Sequence, residues 1–114
     1  MITARTRTFA LLGSPVSHSL SPRLQNAAFR AGGVDGVYVA LACAEADFPG
    51  LLRALARAGG GGNITVPHKA AALEVVEAPT AEVERTGACN TFWWEDGVIH
   101  GDNRGRLSSC IWNL

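Results

Sequence analysis

Short apolar runs alternate with helix-like stretches along this chain, and glycine or proline marks most of the changes from one to the other. That order constrains the fold strongly. Strands separated by helices pair in parallel, because each crossover helix returns the chain to the same end of the sheet. Residues 8–12 form a short apolar run ending at Gly13 and read as a buried strand, which Ser14-Pro15 breaks. Ser21-Pro22 then opens a helix, with Ser21 as N-cap and Pro22 at the first helical position. Leu24, Ala27, Ala28 and Ala31 supply its apolar face, and Gly32-Gly33 ends it. Residues 37–42 predict a second strand. Residues 46–58 predict a second helix, with Phe48, Leu51, Leu52 and Leu55 at helical spacing and residues 59–62 as its stop. A third strand is expected over 63–66, closed by Pro67, then helices over 68–77 and 80–86. Residues 90–94 and 98–100 flank Glu95-Asp96-Gly97, and Asp-Gly between apolar runs is a hairpin signal. The expected fold is α/β: a three-layer αβα sandwich with a mainly parallel sheet and a C-terminal hairpin.

Composition narrows the function classes. Ten Lys and Arg balance ten Asp and Glu, and no basic tract exists to neutralise a phosphate backbone, which argues against nucleic acid as a partner. No apolar run approaches the length that spans a bilayer. The apolar stretch after the two N-terminal arginines is too short for a signal-peptide core, so a cytoplasmic protein is expected. Cys43, Cys89 and Cys110 have neither zinc nor redox spacing and read as reduced, mostly buried thiols. His18, His68 and His100 are scattered and give no support to a metal site.

Four polar segments stand at expected strand ends, where open α/β sheets bind their ligands. Ser17-His18-Ser19-Leu20-Ser21-Pro22 brings two hydroxyls, Ser19 and Ser21, to the mouth of a helix, an arrangement that suits a carboxylate; taken alone, the segment is more often just a helix cap at Ser21 and a loop residue at Ser19. In residues 63–69, Asn63 and Thr65 alternate with Ile64 and Val66 and so share one face of a strand. Lys69 follows at an expected helix start, where the dipole favours release of its proton, although most lysines are simply solvated. Gly87-Ala88-Cys89-Asn90-Thr91 leads into a strand, and Gly101-Asp102-Asn103 closes the hairpin. An Asp near Lys69 would orient it and set its charge; a lone Gly-Asp-Asn is more often a turn.

In combination and order these segments resemble shikimate dehydrogenase. The N-terminal domain of that family has Ser-x-Ser-Pro after strand one, then Asn-[Val/Ile]-Thr-[Val/Ile]-Pro-x-Lys, Gly-Ala-x-Asn-Thr and Gly-x-Asn-Thr-Asp-Gly. The resemblance covers roughly residues 8–103. It implies the substrate-binding portion of an NADP-dependent oxidoreductase that reversibly reduces 3-dehydroshikimate to shikimate, a step towards chorismate and the aromatic amino acids. By motif position it implies that Ser19 and Ser21 hold the substrate carboxylate. Asn63, Thr65, Asn90 and Asp102 would hydrogen-bond the ring hydroxyls, and Lys69, paired with Asp102, would exchange the proton at the reacting oxygen.

The pattern stops at Asn103, where Arg104-Gly105-Arg106 replaces Thr-Asp-Gly. Residues 1–105 are therefore expected to form the substrate-binding domain and 106–114 a divergent tail. The family's NADP-binding Rossmann unit has no counterpart. Residues 59–62 follow a helix and lead into a strand, the reverse of the dinucleotide fingerprint, and Ile64 stands where its last glycine belongs. The chain is expected to be a truncated enzyme that binds no NADP and is inactive alone. A stand-alone module binding shikimate or quinate, and a non-catalytic interaction domain, are the alternatives. The expected partner is the small-molecule substrate, with self-association or a separate cofactor domain left open.

Overall fold

The computed structural model describes residues 1–104. Strand β1 (Arg7–Gly13) is the centre of the fold. Its Phe9 and Leu11 enter one apolar cluster while Ala10 and Leu12 enter another, as the two-residue period of a strand requires. A strand buried on both faces reads as a continuous apolar run, as this one does. Helix α1 (Ser21–Gly32) covers the first face through Phe29, which meets Phe9 at a ring-centroid distance of 5.1 Å. Helix α2 (Phe48–Arg57) covers the second through Phe48, Leu52 and Ala56. Strands β2 (Gly36–Ala42), β3 (Gly61–Ile64), β4 (Ala78–Pro79), β5 (Thr91–Glu95) and β6 (Val98–Asp102) complete a six-stranded sheet in the order β2-β1-β3-β5-β6-β4. Its β2/β1, β1/β3 and β4/β6 pairs are parallel; only β5 runs against its neighbours. Helix α3 (Ala81–Thr86) adds Val83 to the α2-side core. The result is the expected three-layer α/β sandwich with a mainly parallel sheet.

The hairpin forms as its Asp-Gly signal requires. Asp96 and Gly97 have φ of 54° and 76°, the paired positive angles of a tight two-residue turn, and Glu95 pairs with Val98 around it. Thr80, not an acid, caps α3: its hydroxyl accepts from the Val83 N–H.

Four local expectations are corrected. Ser21 is the first residue of α1 and not its cap; Leu20 occupies the cap position, and the Ser19 Oγ accepts the Ser21 N–H at 3.1 Å. The buried stripe of α1 is Gln25 and Phe29, one turn apart, whereas Leu24 is 68% exposed. The aromatic side chain outweighs the alanines in setting which face packs. Gly59, with φ of 93°, ends the α2 region, but Gly61 and Gly62 belong to β3, which stops at Ile64. A Cβ on Gly62 would lie 1.9 Å from the Ala10 carbonyl oxygen, so only glycine lets the strands close. Finally, the helix expected over 68–77 shrinks to a 3₁₀ turn, Ala71–Glu74. The His68 ring is buried against Phe48, and its Nε2 lies 2.9 Å from the Cys43 carbonyl oxygen, which anchors the start. At the other end, Glu77 is already paired to Ile99 through backbone and side chain, so the chain is extended there.

Cys43 and Cys89 are buried free thiols; Cys110 lies outside the described residues. Among the described residues, no helix is long and apolar enough to cross a membrane and no side-chain group suits a metal ion.

Candidate functional site

The registers of β1, β3, β5 and β6 place Leu11, Asn63, Thr91 and Asp102 on one rung running across the sheet. Three of those four residues are polar, next to neighbours (Ile64, Phe92) that belong to the apolar core. Asn63 and Thr91 are buried, and each finds partners. The Tyr38 hydroxyl donates to Asn63 Oδ1 at 2.9 Å, and the Asn63 amide nitrogen donates to Thr91 Oγ1 and the Asn90 carbonyl, both at 3.3 Å. Thr91 Oγ1 donates in turn to Asn90 Oδ1 at 2.9 Å. Buried amides that are bonded in this way hold one orientation. Tyr38 is itself clamped: the Asn26 side chain receives the Tyr38 N–H and donates to its carbonyl, each at 2.9 Å. Burial pushes the Tyr38 phenol well above its ordinary value, so it serves as a neutral donor.

Where this rung meets the start of α1 there is a concavity of about 150 Å³. Ser21 and Gln25 come to it from α1, Asn63, Ile64 and Thr65 from the end of β3, and Lys69 from the turn that follows. Asn90 and Arg104 close the remaining side. Five of the expected site residues therefore meet: Ser21, Asn63, Thr65, Lys69 and Asn90. Ser19 supports the wall through its bond to Ser21 without lining it. Lys69 is half-buried, and its carbonyl accepts the Cys89 N–H at 3.0 Å, which ties it to the Asn90 segment. No α-helix starts at Lys69, so the dipole argument for its proton falls away.

Asp102 departs most from expectation. Among the described residues it makes no ion pair with Lys69. Its Oδ2 accepts from Arg104 Nε at 3.0 Å, and its Oδ1 accepts from the Thr80 hydroxyl at 2.7 Å and the Asn103 N–H at 2.9 Å. Burial raises its carboxyl pKa, but the Thr80, Arg104 and Asn103 donors and the Arg104 charge together outweigh that and hold it below the ordinary value. Aligned on Gly-x-Asn-Thr-Asp-Gly, Asp102 falls on the unspecified position. The acid of that pattern falls on Gly105, which lies outside the described residues, as does the 106–114 tail.

Gln25, Tyr38 and Arg104 were not expected at the site. Gln25 was accessible to a helical reading, since it lies one turn after Ser21. Tyr38 was not, because only the strand register brings it to Asn63. Arg104 was visible as the first break in the pattern.

The glycine run at 59–62 does not suit a dinucleotide diphosphate. Cβ atoms on Gly60 and Gly62 would fall 1.8 and 1.9 Å from the Thr8 and Ala10 carbonyl oxygens. The glycine run is packed into the sheet and leaves no cradle at a helix N-terminus.

Comparison with known proteins finds a family model, the shikimate dehydrogenase substrate binding domain, matching residues 11–92. The shikimate dehydrogenases (NADP(+)) of Mesorhizobium japonicum and Salinibacter ruber are 40% and 45% identical over 90% of this chain. The chain spans 37% and 36% of those relatives, little more than a third of their length. Among solved structures, a shikimate dehydrogenase in complex with NADP+ superposes with a TM-score of 0.84 at 36% identity, over 90% of this chain and 36% of that one. The Thermus thermophilus enzyme in complex with shikimate gives 0.80 at 39% identity, over 86% of this chain and 38% of that one.

Proposed function

The chain belongs to the shikimate dehydrogenase substrate-binding domain family, and from that premise we propose that its concavity binds shikimate or 3-dehydroshikimate. The observation that carries this reading is the convergence of Ser21, Asn63, Thr65, Lys69 and Asn90, from four separate segments, on one small polar concavity. A small polyhydroxylated anion needs many oriented donors and acceptors and a compensating cation. Ser21, with Ser19 behind it, offers hydroxyls to a carboxylate. Asn63, Thr65 and Asn90 offer amide and hydroxyl groups to the ring hydroxyls, with Asn63 and Asn90 held in place by the bonds above. Lys69 supplies a proton-exchanging amine at the reacting oxygen, and Asp102 contributes through Arg104. Residues 1–105 act as the substrate-binding portion of a cytoplasmic, NADP-dependent reduction, in which the nicotinamide supplies the hydride chemistry.

A titration of the 15N-labelled chain with shikimate tests this. Amide shifts should concentrate at Ser21, Asn63, Thr65, Lys69 and Asn90. Shifts confined to the exposed Leu20 and Leu24 side of α1, or none at millimolar ligand, would remove the assignment. A parallel titration with quinate orders the two substrates. A second reading, a module that binds the ligand without turning it over, is favoured by the residue at the acid position of the pattern, which is Gly105 here, while the neighbouring Asp102 pairs with Arg104 and not with Lys69.

A further inference from the structure

The proposed substrate site contains one residue that does not fit the pattern of its family, and it is built in with care. Arg104 replaces the threonine of Gly-x-Asn-Thr-Asp-Gly. Its backbone is fastened to Asn90 from both sides: its N–H donates to Asn90 Oδ1 at 2.9 Å, and its carbonyl accepts from Asn90 Nδ2 at 2.6 Å. Its guanidinium stands over the Trp93 ring, 5.2 Å from the centroid, and its Nε donates to Asp102 at 3.0 Å. Stacking and the Nε bond together fix the plane of the group. Among the described residues, neither terminal nitrogen has a hydrogen-bond partner. Asp102 thus consumes one donor of the fork and leaves the Nη groups for something else.

The charge balance gives the class of that ligand group. Lys69 and Arg104 line the concavity, and among the described residues no carboxylate does. Asp102 offsets one positive charge from the flank. A small concavity with two cations, and a guanidinium only 20% exposed, is complementary to an oxyanion.

We propose that Arg104 is a specificity-determining residue of this chain: its terminal guanidinium nitrogens take a carboxylate oxygen of the bound ligand, and Asp102 is the positioning residue that aims them. This rests on the substrate-site reading above and deepens it. Affinity here depends on the charge of the ligand carboxylate through Arg104, and the ordinary Ser19 and Ser21 hydroxyls are not its sole contacts.

The experiment compares shikimate with its neutral methyl ester, titrated by NMR into the full chain, the Arg104→Gln variant and the Arg104→Lys variant. In the parent chain the Arg104 side-chain Nε–Hε signal should shift on adding shikimate. Arg104→Gln should weaken shikimate by about tenfold to a hundredfold, the worth of a charge-assisted hydrogen bond. The ester should bind the parent and Arg104→Gln within about twofold of each other, since the lost interaction is with the charge. Arg104→Lys should fall between, keeping the charge and losing the fork. Thermal midpoints identify a variant that fails to fold, and Arg104→Lys with the parent side-chain signal then carries the test. Equal or tighter shikimate binding by Arg104→Gln, with amide shifts still at Asn63 and Asn90, overturns the role of Arg104 and leaves the substrate site intact. No shikimate binding by the parent chain overturns the substrate reading and this inference with it.

Discussion

The two faces of the central sheet are made from the same strands yet differ in kind. On the α2 side, Leu12, Ile64, Phe92 and Ile99 meet Phe48 and Leu52 in an apolar core. On the α1 side, the very next residues, Asn63 and Thr91, form a hydrogen-bonded row with Tyr38 and Asn90. One step along a strand changes a residue from core to site. The domain divides its work by sheet face: undirected burial fills the α2 side, while the α1 side sets an oriented polar row beside a smaller apolar cluster of Phe9, Leu11 and Phe29. A polar row of this sort is tolerated because the other face carries most of the apolar burial.

Substitutions on each face should differ in cost. Phe92→Ala should destabilise the domain by about 3–5 kcal/mol, because a large, fully buried ring is replaced by a cavity. Urea denaturation measures it, and a loss below about 1 kcal/mol would mean that the α2-side core does not carry the fold. Tyr38→Phe should cost about 1 kcal/mol, the net worth of one hydrogen bond, with the ring still packed. A loss matching that of Phe92→Ala would erase the distinction between the faces.

Tyr38 also gives a pH test, and it is the only tyrosine in the chain. Its folded pKa lies above the unfolded value near 10, so its contribution to stability is complete below that pH and declines as pH rises beyond it. Phenolate absorbance should therefore appear only together with unfolding. Phenolate formed near pH 10 in the folded chain would show that the hydroxyl is not held in the buried row. At the acid end the sign reverses. Asp102 is held below the usual carboxylate range, so its contribution is present above about pH 3.9 and is lost as pH falls through the lower folded value. Thr80→Ala removes both an Asp102 donor and the α3 cap. It should cost about 1 kcal/mol and raise the Asp102 midpoint, read by carboxyl 13C shifts against pH. An unmoved midpoint would take Thr80 out of the Asp102 network. The smallest effect is expected at Lys69→Ala: under about 0.5 kcal/mol in stability, but a clear loss of shikimate-induced shifts. In a chain joined to a cofactor domain the same change should lower turnover by about 10²–10⁴. A raised Michaelis constant at normal turnover would assign Lys69 to binding alone.

The alternation of apolar runs with Gly- and Pro-punctuated helices determined the α/β class, five of the six strands and the hairpin, because those signals are local and repeat at the period of the element that they form; the two-residue β4 had no such signal. The four polar segments determined most of the concavity for a related reason: strand ends are where a parallel sheet leaves backbone and side chains open to a ligand. What tertiary structure decided was everything that depended on partners distant in the chain. Register brought Tyr38 to Asn63 and set Asn63, Thr91 and Asp102 on one rung; no spacing within a segment encodes that. Packing of Phe29 against Phe9 fixed the buried side of α1, and Gln25, one turn earlier, falls on that same side. The pull of Ile99 on Glu77 replaced a helix of good local propensity with a 3₁₀ turn and left Lys69 in a turn. The charge on Asp102 found its partner two residues away, in Arg104, because that guanidinium is held over Trp93 at hydrogen-bonding distance, and a motif read along the chain cannot say which of two cations will arrive first in space.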